Sequence, residues 1–150
     1  MLPYSIFSPF MPMSTTTQPP VLLLGADENE SLPVLANLHR RGVRVTAAAP
    51  RRLAMGLFSR YPVRRLISPN PNTEPEAFVA WVEETVKGGD YPVTMVCGET
   101  ATWLLAQAKE RLAPFTRLPL VDMDRFFLCR DKSRTMKEAE RLGSPVPKTW

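Results

Sequence analysis

The sequence has a single histidine, His39, and only two cysteines, Cys97 and Cys129. There is no CxxC pair and no Cys/His cluster, so a structural zinc site has no ligand set. The two cysteines are expected as small buried groups in a reduced, cytoplasmic chain rather than as a disulfide framework. No apolar run approaches about 18 residues, which excludes a membrane-spanning helix and makes a membrane partner unexpected. Glycine is scarce, at seven residues, and none belongs to a GxGxxG fingerprint. Positions 25 to 30 read GADENE, with three carboxylates where a pyrophosphate would meet a helix N-terminus. Acidic residues are missing altogether from Ser31 to Thr73, a stretch with eight arginines. Net charge is only +4, and Phe58 and Tyr61 are the only aromatics among those arginines. No nucleic-acid partner is therefore expected. The arginine segment reads as a solvated face, or as a surface for anionic substrates or an acidic partner.

Proline is the residue in excess, with 16 of 150 against a usual frequency of about 5%. Five of these fall in residues 1–20, which carry no charge. The first basic residue is Arg40, so a secretory n-region is lacking. Residues 1–20 are expected to be a disordered extension, or to precede a later start at Met11 or Met13.

From Val21 the pattern alternates strand and helix. Val21–Leu24 is a continuous apolar run of the kind buried on both faces of a parallel sheet. Ser31 is predicted to cap a helix carrying Leu32, Leu35 and Leu38, which stops at Gly42. A second strand is predicted over Val43–Ala48, and a short one near Arg65–Ile67 in an irregular, proline-rich segment. Helices are predicted over Pro75–Lys87 and Glu99–Leu112, with strands at Val93–Val96 and Leu118–Val121. Asp122 and Asp131 are placed as caps of two final helices, the last ending before Gly143. The expected fold is α/β: an open parallel Rossmann-like sheet of about four to five strands with helices on both faces. In such sheets ligands lie beyond the carboxyl ends of the strands. That edge holds Gly25–Glu28, Ala48–Arg52, Gly98–Thr100 and Val121–Asp122.

Several segments in order resemble one family. Val21–Gly25, Ser31–Val34, Ser59-Arg60-Tyr61, Asp131-Lys132 and Leu142–Trp150 are together similar to the pre-ATP-grasp domain of carboxylate–amine ligases, related to the carbamoyl-phosphate synthase large subunit. The resemblance implies that residues 21–121 form this α/β domain. It implies that residues 122–150 connect to an ATP-grasp domain lying beyond Trp150, so that the chain is a fragment. It further implies ATP and magnesium as cofactors of the complete enzyme, with no tight binding by the fragment. The carboxylate would be activated as an acyl phosphate and attacked by an amine or similar nucleophile, both small molecules. Homo-oligomerisation is left open.

The resemblance and the residue chemistry select five candidates. Lys132 stands in a helix first turn, where a cation opposes the dipole, and the resemblance implies that it reaches the ATP phosphates. Asp27 and Glu28 are expected to hydrogen-bond the acceptor substrate, with macrodipole complementation as the plain alternative. Glu99 is expected to face the cleft at the end of a central strand. Arg60 is expected to fix the long loop against the sheet, or to meet an anionic substrate group through its planar fork. Two other function classes stay open. One is a free-standing nucleotide-binding module, for which Arg51 and Arg52 would suit a 2′-phosphate. The other is an interaction domain built on the arginine segment.

Overall fold

The computed structural model describes residues 18–147, so the expected extension over residues 1–17 and the final three residues lie outside the described part. The chain forms a four-stranded, wholly parallel sheet. Its strands are β1 (Val21–Leu24), β2 (Val45–Ala49), β3 (Arg64–Ile67) and β4 (Val93–Val96), in spatial order β3-β2-β1-β4. The fold class is the expected one.

The alternation of side chains along a strand sends successive residues to opposite faces. Leu22, Leu24 and Ala48 point to one face and pack against Phe78, Val82 and Val86 of α3 (Pro75–Gly88) and Ala101 and Leu105 of α4 (Glu99–Gln107). Leu23, Val45, Ala47 and Ala49 point to the other face. There they meet Leu35 of α1 (Ser31–Arg40) and Leu57 of the four-residue α2 (Met55–Phe58). Both faces are covered, which is why β1 and β2 are fully buried and carry no charge.

Some local expectations need correction. Ser31 is the first helical residue of α1 rather than its cap. Its buried hydroxyl donates to the Ala26 carbonyl at 3.1 Å, because it lies beneath the β1 loop and not at the helix mouth. The helix expected over Glu99–Leu112 breaks at Ala108 into α4 and α5 (Lys109–Leu112). The strand expected over Leu118–Val121 does not form, and only Arg117 bridges β4, at Val93. Cys97 is buried but Cys129 is exposed. Asp122 precedes α6 (Met123–Arg130) without a side-chain capping bond, and its carboxylate accepts from the Lys109 ammonium at 3.2 Å instead. Asp131 does cap α7 (Lys132–Arg141), accepting from the Ser133 and Arg134 amides at 2.9 and 3.2 Å. Neither α6 nor α7 has a buried residue, so this helical pair stands out from the sheet. Among the described residues no helix is long and apolar enough to cross a membrane.

Candidate functional site

The chain runs outward from β1 to β2 to β3, then returns across the sheet to place β4 on the other side of β1. The strand order reverses between β1 and β4, and a crevice is expected where it does, beyond the carboxyl ends. An open cleft of about 550 Å³ lies there. Its walls come from four connections: Gly25, Asp27 and Glu28 after β1, Arg51 after β2, Ser68, Asn70 and Asn72 after β3, and Cys97, Glu99 and Thr100 after β4.

Two glycines give the cleft its shape. Gly25 has φ +73°, and a Cβ there would lie 2.3 Å from the Cys97 carbonyl oxygen. The chain can therefore turn out of β1 while staying close against the end of β4. Gly98 has φ +88°, and a Cβ there would sit 2.7 Å from a Glu28 carboxylate oxygen. The Gly98 amide donates to Glu30 Oε1 at 3.1 Å, which ties the β1 loop to the β4 loop across 68 residues of sequence.

The electrostatics are acidic. Partial burial of its carboxyl group, with Asp27 and Glu30 nearby, raises the Glu28 pKa above the usual carboxylate value. Burial, reinforced by Glu30 and Glu28, pushes the Cys97 thiol up to about 11. Burial and the neighbouring carboxylates thus favour the protonated thiol at neutral pH. Arg51 reaches Asp27 only at 3.9 Å and is itself largely exposed, so it neutralises little. Arg130 at the end of α6 pairs with Glu99, joining the helical pair to the rim of the cleft.

Three of the five residues singled out from the sequence come together: Asp27, Glu28 and Glu99 all line the cleft. Arg60 does not line it. It is exposed and lies over the Tyr61 ring at 5.9 Å. The loop is held instead by Arg65, whose Nε and Nη2 donate to the Leu57 and Ser59 carbonyls at 2.6 and 2.9 Å. Lys132 is the exposed first residue of α7 and is outside the cleft lining. Sequence reasoning missed Glu30, which has no motif of its own, and the wall made by Asn70 and Asn72. Asn70-Pro71-Asn72 is a turn-forming string that could have marked this wall, and the Asn72 amide donates to Asn70 Oδ1 at 2.9 Å.

A cleft of this kind suits a ligand that donates hydrogen bonds, such as an ammonium or hydroxyl group. It does not fit ATP with magnesium. Carboxylates stand where phosphates would lie, and no group of three or more metal-ligating side chains is gathered among the described residues.

No protein-family model matches the sequence, and no curated protein matches it. Among solved structures, the chain is similar to the L-amino acid ligase from Bacillus licheniformis, with a TM-score of 0.64 and 19% identity. The likeness covers 89% of this chain and 32% of the ligase, so the chain spans about a third of that protein's length. A second similarity, at TM-score 0.43 and 19% identity, is to the WlbA (WbpB) dehydrogenase from Thermus thermophilus, solved with NAD and alpha-ketoglutarate. It covers 87% of this chain and 48% of the dehydrogenase. At 19% identity the likeness to the ligase establishes a shared α/β fold.

Proposed function

We propose that this chain is the N-terminal α/β domain of an ATP-dependent ligase of the ATP-grasp type, acting on amino acids or similar small carboxylates and amines. The observation that carries the reading is the likeness of nearly the whole described chain to one part of the L-amino acid ligase. The ordered motifs from Val21 to Trp150, similar to pre-ATP-grasp domains, support it from the sequence side.

On this reading the domain supplies one wall of the substrate cleft and does not itself hold the nucleotide. Asp27 and Glu28 orient the amino group of a substrate by accepting its hydrogen bonds. Glu99, paired with Arg130, sets the angle at which α6 and α7 leave the domain. Lys132 then stands at the start of a helix capped by Asp131 and projecting away from the sheet. Its ammonium is a point charge of the kind that binds phosphate, so in the complete enzyme Lys132 is directed to the ATP phosphates. The phosphate chemistry and the magnesium ligands belong to the remainder of the ligase.

The test is steady-state kinetics on the complete enzyme. Lys132→Ala should raise the ATP KM or lower kcat by about tenfold, near 1.4 kcal/mol, with the amine KM and the melting temperature unchanged. Asp27→Asn should raise the amine KM and leave the ATP KM alone. Normal ATP kinetics in Lys132→Ala would remove the phosphate role.

A further inference from the structure

The two edges of the sheet are finished differently. Beyond β4, Arg117 bridges Val93, the Thr94 amide donates to the Arg117 carbonyl at 3.0 Å, and the Thr94 and Thr116 hydroxyls meet at 2.8 Å in a buried contact. Beyond β3 no strand pairs among the described residues, so Arg64–Ile67 present one side of their backbone unpaired.

The surroundings of that edge are apolar. Leu53, Phe58 and Val63 are 81%, 71% and 65% exposed, and Met55 and Ile67 are about half exposed. Among the described residues, five of the eleven large exposed apolar side chains therefore lie between residues 53 and 67, on one short stretch. Phe58 and Ile67 line a shallow groove of about 450 Å³ together with Arg52 and Arg65.

The edge is also positive and unneutralised. No acidic residue occurs from Ser31 to Thr73. Of the eight arginines in that segment, only Arg51 forms an ion pair among the described residues, and that one is long at 3.9 Å. Arginines on an open edge guard against self-pairing, which accounts for Arg64 and Arg65. Such guarding does not account for the bare aliphatic and aromatic groups beside them, which carry an aggregation hazard unless something covers them.

We propose that the β3 edge takes up an extended, acidic segment of a protein partner, added as a fifth strand. Main-chain hydrogen bonds would hold the segment to Arg64–Ile67. Its carboxylates would meet Arg64 on one face of the sheet, and the alternate aliphatic side chains would fill the groove between Phe58 and Ile67 on the other, in the manner of strand addition. A second copy of the chain fits less well, since pairing β3 with itself would bring arginines together. A nucleic acid fits less well because the exposed groups are mainly aliphatic rather than stacking aromatics.

The test uses the product of the complete reading frame that encodes these residues and a fluorescein-labelled peptide of about ten residues alternating valine and glutamate. Fluorescence anisotropy should show saturable binding that weakens steeply at about 0.5 M salt. Slowed hydrogen exchange should be confined to the amides of Arg64–Ile67. Ile67→Thr and Phe58→Ser alter exposed groups, and each should weaken binding by about tenfold or more while circular dichroism and melting temperature stay as in the parent. Equal binding of a polyglutamate peptide would reduce the site to charge alone and overturn the proposal. So would tighter binding of a twenty-nucleotide oligothymidine, a dimer in sedimentation lost in Ile67→Thr, or no peptide binding at about 1 mM.

Discussion

Replacing Gly25 by alanine should be among the most damaging single changes available to this fold. The residue sits where β1 ends and the cleft begins, with φ +73°. An L-residue held in that left-handed conformation costs about 1–2 kcal/mol. The new Cβ would also lie 2.3 Å from the Cys97 carbonyl oxygen, 3.0 Å from its carbonyl carbon and 3.3 Å from its Cβ. The first two are backbone atoms at the end of β4, whose amide donates to the Leu24 carbonyl at 3.0 Å. They cannot swing away as a side chain would, so β1 and β4 must part. Overpacking of that kind adds about 1–3 kcal/mol. The sum is about 2–5 kcal/mol against a usual total of about 5–15 kcal/mol. At roughly 4 °C per kcal/mol for a domain of this size, the melting temperature should fall by about 8–20 °C. Urea unfolding followed by circular dichroism measures it, with the slope unchanged if the denatured state is unaffected. Gly88→Ala is the control. Gly88 ends α3, has no positive φ, and a Cβ there meets nothing within 4 Å. It should be neutral or stabilising by about 0.4–1 kcal/mol. A loss below about 0.5 kcal/mol in Gly25→Ala, within the range of an ordinary surface change, would refute the close approach of β1 to β4.

Arg65→Ala should cost about 1–2 kcal/mol in urea unfolding, since it removes two charge-assisted bonds to the Leu57 and Ser59 carbonyls, whereas Arg60→Ala should stay within about 0.5 kcal/mol. The reverse order would return the loop anchor to Arg60. The Glu28 carboxyl binds its proton more tightly in the folded state than in the unfolded chain, so its contribution favours folding at low pH and is lost as pH rises from about 4.5 through the raised folded value. Glu28→Gln should therefore flatten the decline in stability over that window, measured by unfolding at a series of pH values, and an unchanged profile would contradict the raised value. Cys129 is exposed and Cys97 buried with its thiol pushed up to about 11, so Ellman's reagent at pH 8 should modify one thiol per chain quickly and the second only on unfolding. Two equal fast phases would contradict that.

Much of the sheet was legible because it is buried on both faces. Val21–Leu24 is a short uninterrupted apolar run, and such a run has few alternatives to a central parallel strand, while Val93–Val96 is broken only by Thr94, whose hydroxyl is buried against Thr116. Phe78, Val82 and Val86 marked α3 in the same way, by their spacing. α2 was not legible, since a four-residue helix is too short to show a period. Leu118–Val121 looked like a strand from composition, but Pro119 lacks the donor that a ladder needs, and only Arg117 engages β4. At the site, Asp27, Glu28 and Glu99, placed at the sheet's carboxyl edge from the sequence, line the cleft. What the sequence did not carry was which groups the loop carboxylates meet. Glu99 meets Arg130 and Glu30 meets the Gly98 amide through contacts 31 and 68 residues apart. The choice between Arg60 and Arg65 as loop anchor has the same origin: both lie in the irregular Pro50–Pro75 segment, and only the register of β3 on β2 shows which one turns back to Leu57.

The ligase assignment is tested most directly by trapping the acyl phosphate. The product of the complete reading frame that encodes these residues is incubated with ATP, magnesium, a panel of amino acids and hydroxylamine. ADP and aminoacyl hydroxamate are then quantified together. ADP release should depend on the carboxylate, with hydroxamate formed in equal amount. No carboxylate-dependent ADP and no hydroxamate across the panel, from an enzyme shown to bind ATP, would contradict the assignment.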